Sequence, residues 1–263
     1  MRKKLVVGNW KMNLDTTEAL ATIAALEKQV SASTKVETVI CPSFVALEPL
    51  RKKLEPLKLK LGAQNLHFMD EGPFTGEVSG LQLRGLVDYV IIGHSERRQH
   101  FGETNDVIAR KVSAAVRNGI TPIVCIGENL YERQAGETGQ VVQDQLAAAL
   151  VMLTAREVSS IVIAYEPVWA IGTGEMARPE QIKQTIAAIR KTVHHLCGDS
   201  VAAATRVLYG GSVVSDLAAD YLKIKGLDGF LVGGASLKPL EFSAIVKAAQ
   251  RSSGRPAAKA ARH

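Results

Sequence analysis

The feature of this sequence that most constrains its fold is a series of eight short apolar runs spread along the chain. Each run is continuously apolar rather than alternating, which is typical of strands that are buried on both faces of a parallel sheet. The runs predict strands at residues 5–7, 36–40, 57–61, 89–92, 120–125, 161–165, 206–209 and 230–232.

Helical periodicity fills the gaps between these runs. It is clearest over residues 179–196, where apolar side chains recur at intervals of four, three and four, with Pro179 at the start and Gly198 after the end. Proline is favoured in the first turn of a helix and glycine just beyond its last residue. Comparable stripes predict a helix over 105–118, closed by Gly119, and another around the apolar residues of 142–153.

Strand and helix alternate without an internal linker, which predicts one α/β domain over residues 1–250. Eight strand–helix units in about 250 residues match the size of a closed (β/α)8 barrel. Pattern alone leaves a doubly wound open sheet as the alternative, although such a sheet usually has fewer strands. Residues 251–263 form a basic extension, which we predict to be a disordered tail.

Composition excludes several classes of function. With 46% hydrophobic and 22% charged residues, the chain has the make-up of an ordinary globular protein. Its net charge of +6 comes partly from the tail, and acidic and basic residues are mixed elsewhere, so we predict no nucleic-acid partner. The mild positive charge suits a small anionic substrate.

The same sequence predicts neither membrane association nor export. The longest apolar stretch, 146–153, is far shorter than the roughly 20 residues that cross a bilayer. The first residues lack the apolar region and cleavage site of a signal peptide, so we expect the chain in the cytoplasm. Cys41, Cys125 and Cys197 are widely spaced without a metal-ligand pattern, which predicts reduced thiols and no metal site.

Polar residues follow the first predicted strand. Asn9 and Lys11 are two residues apart, so we expect them on the same side of an extended segment. In barrels the reacting groups lie at the carboxyl ends of the strands, where a lysine can meet a phosphate or an oxyanion. The alternative is a surface lysine on a loop, the commonest environment of that residue.

A histidine follows the fourth predicted strand. We expect Ser95 to cap the next helix and Glu96 to lie in its first turn, which puts His94 against the positive end of that helix. Backbone amides there favour a neutral imidazole, which acts as a hydrogen-bond donor rather than a cation. The alternative is a core histidine with all its hydrogen bonds satisfied.

A carboxylate and an apolar loop follow the sixth predicted strand. Glu166 at the strand end is typical of a base, and the loop after it is typical of a lid that excludes water when it closes. Pro167 stiffens one end of the loop and biases Glu166 toward an extended backbone. The alternative is a plain surface loop. The predicted lid comprises Pro167, Val168, Trp169, Ala170, Ile171, Gly172, Thr173 and Gly174.

Paired glycines follow the last two predicted strands, within the segments 209–212 and 232–236. Each pair alone is typical of a turn. Glycine also lets backbone N–H groups approach a dianion, and the phosphate site of a barrel commonly lies after its last two strands. The two pairs together predict a phosphate site, which we call the phosphate cup and define by Gly210, Gly211, Ser212, Gly233 and Gly234.

With these motifs in view, the chain resembles the triosephosphate isomerase family over about its first 250 residues. The motifs that carry the resemblance are Gly-Asn-Trp-Lys at 8–11, Gly-His-Ser-Glu-Arg-Arg at 93–98, Cys-Ile-Gly-Glu at 125–128, Ala-Tyr-Glu-Pro-Val-Trp-Ala-Ile-Gly-Thr-Gly at 164–174 and Tyr-Gly-Gly-Ser at 209–212. The resemblance implies a barrel that interconverts dihydroxyacetone phosphate and D-glyceraldehyde 3-phosphate without cofactor or metal.

The resemblance also implies roles for individual residues. Lys11 would act electrostatically at the substrate oxygen, His94 as the electrophile and Glu166 as the base, an arrangement known for this family. The implied substrate contacts are Asn9, Lys11, Gly172, Ser212, Gly233 and Gly234, with Ser95, Glu96 and Tyr209 in supporting positions.

Segment 64–79 resembles the family's third loop, which projects into a second subunit and implies a homodimer. Thr75 would reach the partner's site, and Pro73 should stiffen this loop. The sequence departs from the family at residues 175–178, where Glu, Met, Ala and Arg follow the lid. We expect this hinge to alter the rate of lid opening rather than the reaction.

Two other readings remain open from the residues. One is a different enzyme with a phosphate-binding barrel, such as a sugar-phosphate epimerase or a synthase acting on a phosphorylated ribose. The other is a catalytically idle barrel that binds partners through its basic tail. Neither requires Asn9, Lys11, His94 and Glu166 together at strand ends.

Overall fold

The computed structural model describes residues 2–30, 35–54, 57, 59–172 and 175–253. Eight parallel strands pair in chain order and the last pairs with the first, which closes the barrel. The predicted (β/α)8 barrel is confirmed and the open sheet is wrong. The strands are β1 Lys4–Asn9, β2 Val36–Cys41, β3 Lys60–Ala63, β4 Tyr89–Ile92, β5 Thr121–Ile126, β6 Val162–Tyr165, β7 Arg206–Tyr209 and β8 Gly229–Val232.

Helices surround the barrel, and the predicted ones are among them. The helix predicted over 179–196 runs from Pro179 to Cys197, and Gly198 after it has φ 85°. The described helices are α1 Thr16–Glu27, α2 Leu47–Leu54, α3 Gly80–Leu83, α4 Ser95–Phe101, α5 Asn105–Arg117, α6 Leu130–Gln134, α7 Thr138–Leu150, α8 Ala155–Val158, α9 Pro179–Cys197, α10 Asp199–Ala204, α11 Ser215–Tyr221 and α12 Pro239–Ser252.

The strands bury both of their faces. In β1, Leu5 and Val7 belong to the cluster inside the barrel, whereas Val6 belongs to the larger cluster between strands and helices. Successive strand residues point to opposite sides of a sheet, so both sides must be apolar here. This is the physical reason for the continuous apolar runs in the sequence.

The third strand is displaced from its predicted position. It spans Lys60–Ala63 rather than 57–61. Leu57 and Leu59 are apolar because they pack against the outer cluster from the connection that precedes the strand. Similarly, α7 ends at Leu150, and Leu153, the last residue of the predicted stripe, packs against the outer cluster from beyond the helix. Apolar periodicity therefore reported burial correctly in both regions but placed the element boundaries wrongly.

The described residues also bear on three other predictions. None of their helices combines the length and apolar character that a membrane span needs. No group of three His, Cys, Asp or Glu side chains within these ranges is arranged to hold a metal ion. Helix α12 continues to Ser252, past the predicted domain limit at 250, and residues 254–263 of the predicted tail lie outside the described part of the chain.

Candidate active site

A cavity of about 420 Å³ lies at the carboxyl ends of the strands. Its lining includes Asn9 and Lys11 after β1, His94 after β4 and Glu166 after β6. These four side chains are far apart in the sequence, and the closed barrel brings them together because all its strands end at one rim. The structure therefore places the predicted chemical groups in one pocket.

Lys11 reaches this pocket from a tight backbone turn. Asn9 is the last residue of β1, and Lys11 has φ 54°, so the expectation that both lie on one extended segment is wrong. The Lys11 N–H donates to Asn9 Oδ1 at 3.1 Å, and this bond stabilises a left-handed conformation that is unfavourable for a lysine. A Cβ placed on Gly233 would lie 3.9 Å from Lys11 Nζ, so the ammonium borders the phosphate cup.

Glu96 is the partner of Lys11. Lys11 Nζ donates to Glu96 Oε1, and the carboxylate is 40% exposed. Burial favours the neutral acid, but the hydrogen bond from Lys11 and the nearby positive charges outweigh it and hold the pKa of Glu96 below its ordinary value. Glu96 is therefore held in its ionised form beside Lys11.

His94 caps helix α4, so the prediction that Ser95 is the cap is wrong. The Glu96 N–H donates to His94 Nδ1 at 3.3 Å. A ring nitrogen that accepts a hydrogen bond carries no proton, so the neutral ring has its proton on Nε2. His94 Nε2 lies 3.0 Å from Glu166 Oε1 inside the pocket. The neutral, hydrogen-bond-donating ring stays a prediction, and the histidine itself is the cap.

Glu166 is almost fully buried, with 1% of its surface exposed. Its backbone N–H donates to Ile126 O at 2.8 Å, which extends the ladder between β5 and β6 by one bond. The Ser95 N–H donates to Glu166 Oε2 at 2.9 Å. Ser95, the first residue of α4, therefore supports Glu166 through its backbone amide, while the other carboxylate oxygen faces the histidine.

Gly127 lets β5 and β6 approach each other beside this carboxylate. A Cβ at residue 127 would lie 1.7 Å from the carbonyl oxygen of Glu166. We expect Gly127→Ala to force the two strand ends apart, to lower the free energy of unfolding by about 3 kcal/mol and to reduce kcat. Urea unfolding and turnover measure the two effects.

Gly139→Ala is the matched control for that substitution. Gly139 lies in helix α7 and nothing stands within 4 Å of a Cβ placed there. Alanine is favoured over glycine in a helix by up to about 1 kcal/mol, so this variant should be as stable as the wild type or slightly more stable. Equal stability of the two variants would contradict the expected clash.

The segment predicted as a lid packs over the pocket from β6. Residues Val168–Ala170 form a short 3-10 turn, and Ile171 and Gly172 line the cavity. Trp169 is half-buried and its Nε1 donates to Glu128 Oε1 at 2.9 Å. Pro167 and Ala170 are buried, whereas Thr173 and Gly174 lie outside the described residues. Opening and closing of this segment stays a prediction.

Glu128 supports the predicted lid and was not assigned a role from the sequence. It is fully buried, and its Oε1 also accepts the Tyr165 hydroxyl at 3.1 Å. Burial raises the pKa of Glu128, although the hydrogen bonds from Trp169 and Tyr165 oppose the rise. The Cys-Ile-Gly-Glu motif was the only sequence signal for this residue.

The phosphate cup lines the same cavity as His94. Gly172, Ser212, Gly233 and Gly234, all predicted substrate contacts, line it together with Gly210 and Gly211. Tyr209 does not line the cavity. A Cβ placed on Gly211 would lie 2.3 Å from the Tyr209 hydroxyl, so this buried ring packs directly beneath the loop that carries Ser212.

Two charged residues that line the cavity were not predicted from the sequence. Lys238 and Glu241 line the cavity beside the cup, at the start of helix α12. They follow the second glycine pair by several residues and form no recognisable motif with it. Thr75 is exposed on a separate loop and is not part of this cavity.

Comparison with known proteins agrees with these observations. The family model described as "Triosephosphate isomerase" matches residues 4–249. The triosephosphate isomerase of Clostridium tetani is 46% identical over 247 residues, which cover 94% of this chain and 96% of that protein. Those of Clostridium perfringens and Dehalococcoides mccartyi are 45% and 43% identical, over 94% and 95% of this chain and 99% and 98% of theirs.

Proposed function

The chain belongs to the triosephosphate isomerase family, and we propose that it interconverts dihydroxyacetone phosphate and D-glyceraldehyde 3-phosphate, a step of glycolysis and gluconeogenesis. The observation that carries the proposal is the convergence of Lys11, His94 and Glu166 in one pocket that also holds the phosphate cup. Glu166 Oε1 lies 3.0 Å from His94 Nε2, which is close enough for both groups to contact one small substrate.

In this proposal Glu166 is the base. It removes a proton from the carbon next to the substrate carbonyl and later returns it to the neighbouring carbon. The intermediate is an enediolate, whose oxygen charge must be stabilised as it forms. The Lys11 ammonium and the His94 Nε2–H supply that stabilisation, and His94 transfers a proton between the two oxygens. The steps use these side chains alone, so we propose no cofactor and no metal.

The cup and the lid would hold the substrate through this exchange. We propose that backbone amides near Gly172, Ser212, Gly233 and Gly234 bind the phosphate dianion, because these four residues line the cavity. An enediolate phosphate that is open to water can lose its phosphate by elimination. Closure of the apolar lid over a fixed phosphate disfavours that side reaction.

A coupled assay of dihydroxyacetone phosphate conversion, with chelator present and no cofactor added, tests the proposal. We expect rapid turnover. Phosphate binding without turnover would favour a barrel that acts on another phosphorylated substrate. Absence of both would favour the idle scaffold.

We also propose a cytoplasmic homodimer without nucleic-acid or membrane partners. Phe74 and Thr75 are exposed on the projecting loop, and Met12 and Val45 are 95% and 73% exposed. We propose that a partner subunit covers these exposed side chains. Met12 directly follows Lys11, so a partner loop that covers it would lie beside the pocket.

Thr75→Arg should weaken the proposed dimer. A buried, unpaired guanidinium at the loop tip is unfavourable in an interface, whereas the exposed position tolerates it in the monomer. We expect sedimentation to show monomer at micromolar concentration. We also expect kcat to fall at least tenfold, because the loop of the partner subunit would no longer pack beside Lys11. Val151→Arg, which adds the same charge at a site 74% exposed, is the control. A fully active monomeric variant would contradict the proposed role of the loop.

A further inference from the structure

Glu241 lies where a negative charge is unfavourable for the proposed substrate. Its side chain lines the cavity beside the phosphate cup, in which a dianion would bind. Two negative charges repel each other, and the repulsion is strongest where water is excluded. We therefore expect the carboxylate of Glu241 to have a structural role that outweighs this repulsion.

The reason is found in a hydrogen bond between two helices. Helix α11 begins at Ser215, and Val214 before it has no side-chain acceptor for the first amides of the helix. The Ser215 N–H instead donates to Glu241 Oε1 at 2.7 Å. Glu241 belongs to the first turn of α12, so one helix supplies the cap that the other lacks.

The backbone at Glu241 is itself firmly held. Phe242, the next residue, is fully buried, and its ring packs against β1, since a Cβ placed on Gly8 would lie 3.2 Å from Phe242 Cζ. Pro239 starts the helix, and the Phe242 N–H donates to Lys238 O at 2.9 Å. The carboxylate therefore extends from a part of the chain that is fixed to the barrel.

We propose that Glu241 is a positioning residue for the phosphate cup. Its bond to Ser215 ties the loop after β7, which carries Gly210, Gly211 and Ser212, to the loop after β8, which carries Gly233 and Gly234. The two glycine pairs are thereby held at a fixed separation. The inference rests on the proposed function because it assigns the cup to a substrate phosphate.

The loop held by the bond between Ser215 and Glu241 also contacts the predicted lid. Ser212 Oγ donates to Ala170 O at 3.0 Å, so displacement of the loop after β7 would move a residue that contacts the lid. Lys238, which is exposed, lines the same cavity. A cation in the same lining attracts a substrate dianion and so opposes its repulsion by Glu241.

Two substitutions separate the hydrogen bond from the charge. Glu241→Ala removes both, whereas Glu241→Gln retains an acceptor oxygen and removes only the charge. For Glu241→Ala we expect the dissociation constant of inorganic phosphate and the KM each to rise about tenfold, with kcat changed less than about threefold. For Glu241→Gln we expect phosphate to bind as tightly as in the wild type or more tightly.

Calorimetric titration with inorganic phosphate and steady-state kinetics on the full chain provide these values. Glu180→Ala, which removes an exposed acid from the first turn of α9, is the control and should change neither. The proposal would be overturned if both Glu241 variants bound phosphate more tightly than the wild type, or if both bound it equally weakly. In either case the change in affinity would follow from the lost charge, which the two variants share, and not from the lost hydrogen bond. A lower melting temperature of Glu241→Ala with unchanged phosphate affinity would overturn it too.

The phosphate titration also separates this inference from the proposed function. If the wild type binds phosphate and Glu241→Ala weakens that binding while no isomerase activity is found, the positioning role holds and the proposed reaction fails. If turnover is found and the phosphate affinity of Glu241→Ala is unchanged, the reaction holds and the positioning role fails.

Discussion

Glu166→Gln is expected to lower kcat by about 10³-fold while leaving the fold and phosphate affinity intact. A general base contributes about 10²- to 10⁴-fold to the rate of such reactions, and the amide cannot accept the proton. The fold should survive because glutamine has the same shape and its amide oxygen can still accept the Ser95 N–H, which now lies 2.9 Å from Glu166 Oε2.

Steady-state kinetics and phosphate titration test this expectation together. Glu180→Gln, the same chemical change at an exposed site, is the control and should behave as the wild type. Turnover within tenfold of the wild type would show that another group is the base. A parallel loss of phosphate affinity would show instead that the substitution disturbed the whole pocket.

The fold could be predicted because burial on both faces leaves a clear record in strand sequences. Leu5, Val6 and Val7 are apolar since they contact either the barrel interior or the surrounding helices. The contacts between the two ends of the chain could not be predicted in this way. Arg2 and Arg190 bind Asp228 Oδ2 at 2.8 and 2.7 Å, and Arg2 lies 226 residues from its partner. Pairing at that separation depends on the closed topology, which local patterns do not encode.

The candidate site could be predicted where its residues follow strands directly. Asn9 and Glu166 adjoin strand ends, and such residues meet at one rim in any parallel barrel. Glu241 could not be predicted, since it acts through a bond to a helix that begins 26 residues earlier. The predictions of an extended Lys11 and of a Ser95 cap were wrong for a local reason. The positive φ of Lys11 and the cap at His94 both depend on side-chain hydrogen bonds, which motif spacing does not specify.

The structure describes the far end of the hinge that follows the predicted lid. Arg178 directly precedes helix α9, and its side chain accepts no hydrogen bond from the first amides of that helix. The Arg178 N–H itself donates to Gln181 Oε1 at 2.8 Å. Ala177 next to it is buried. This end of the lid is therefore anchored despite its charged residues, and a change in opening rate stays a prediction.

Lys11→Met is expected to lower kcat/KM by about 10²- to 10³-fold. The substitution removes a positive charge that would stabilise the enediolate oxygen and that borders the phosphate cup. It also leaves Glu96 without the hydrogen bond that lowers its pKa. A carboxylate that remains ionised beside the pocket then repels the phosphate dianion, so phosphate affinity should fall as well.

The double variant Lys11→Met, Glu96→Gln separates these two effects. Removing the residual negative charge should restore part of the phosphate affinity, because repulsion is relieved, but little of kcat, because the ammonium is still missing at the reacting oxygen. Lys11→Arg keeps the charge and is the control for its loss. If the double variant recovers kcat fully, Lys11 serves only to neutralise Glu96 and has no part in stabilising the enediolate. If it recovers neither quantity, the two residues do not oppose each other in binding, and the phosphate contact belongs to Lys11 itself.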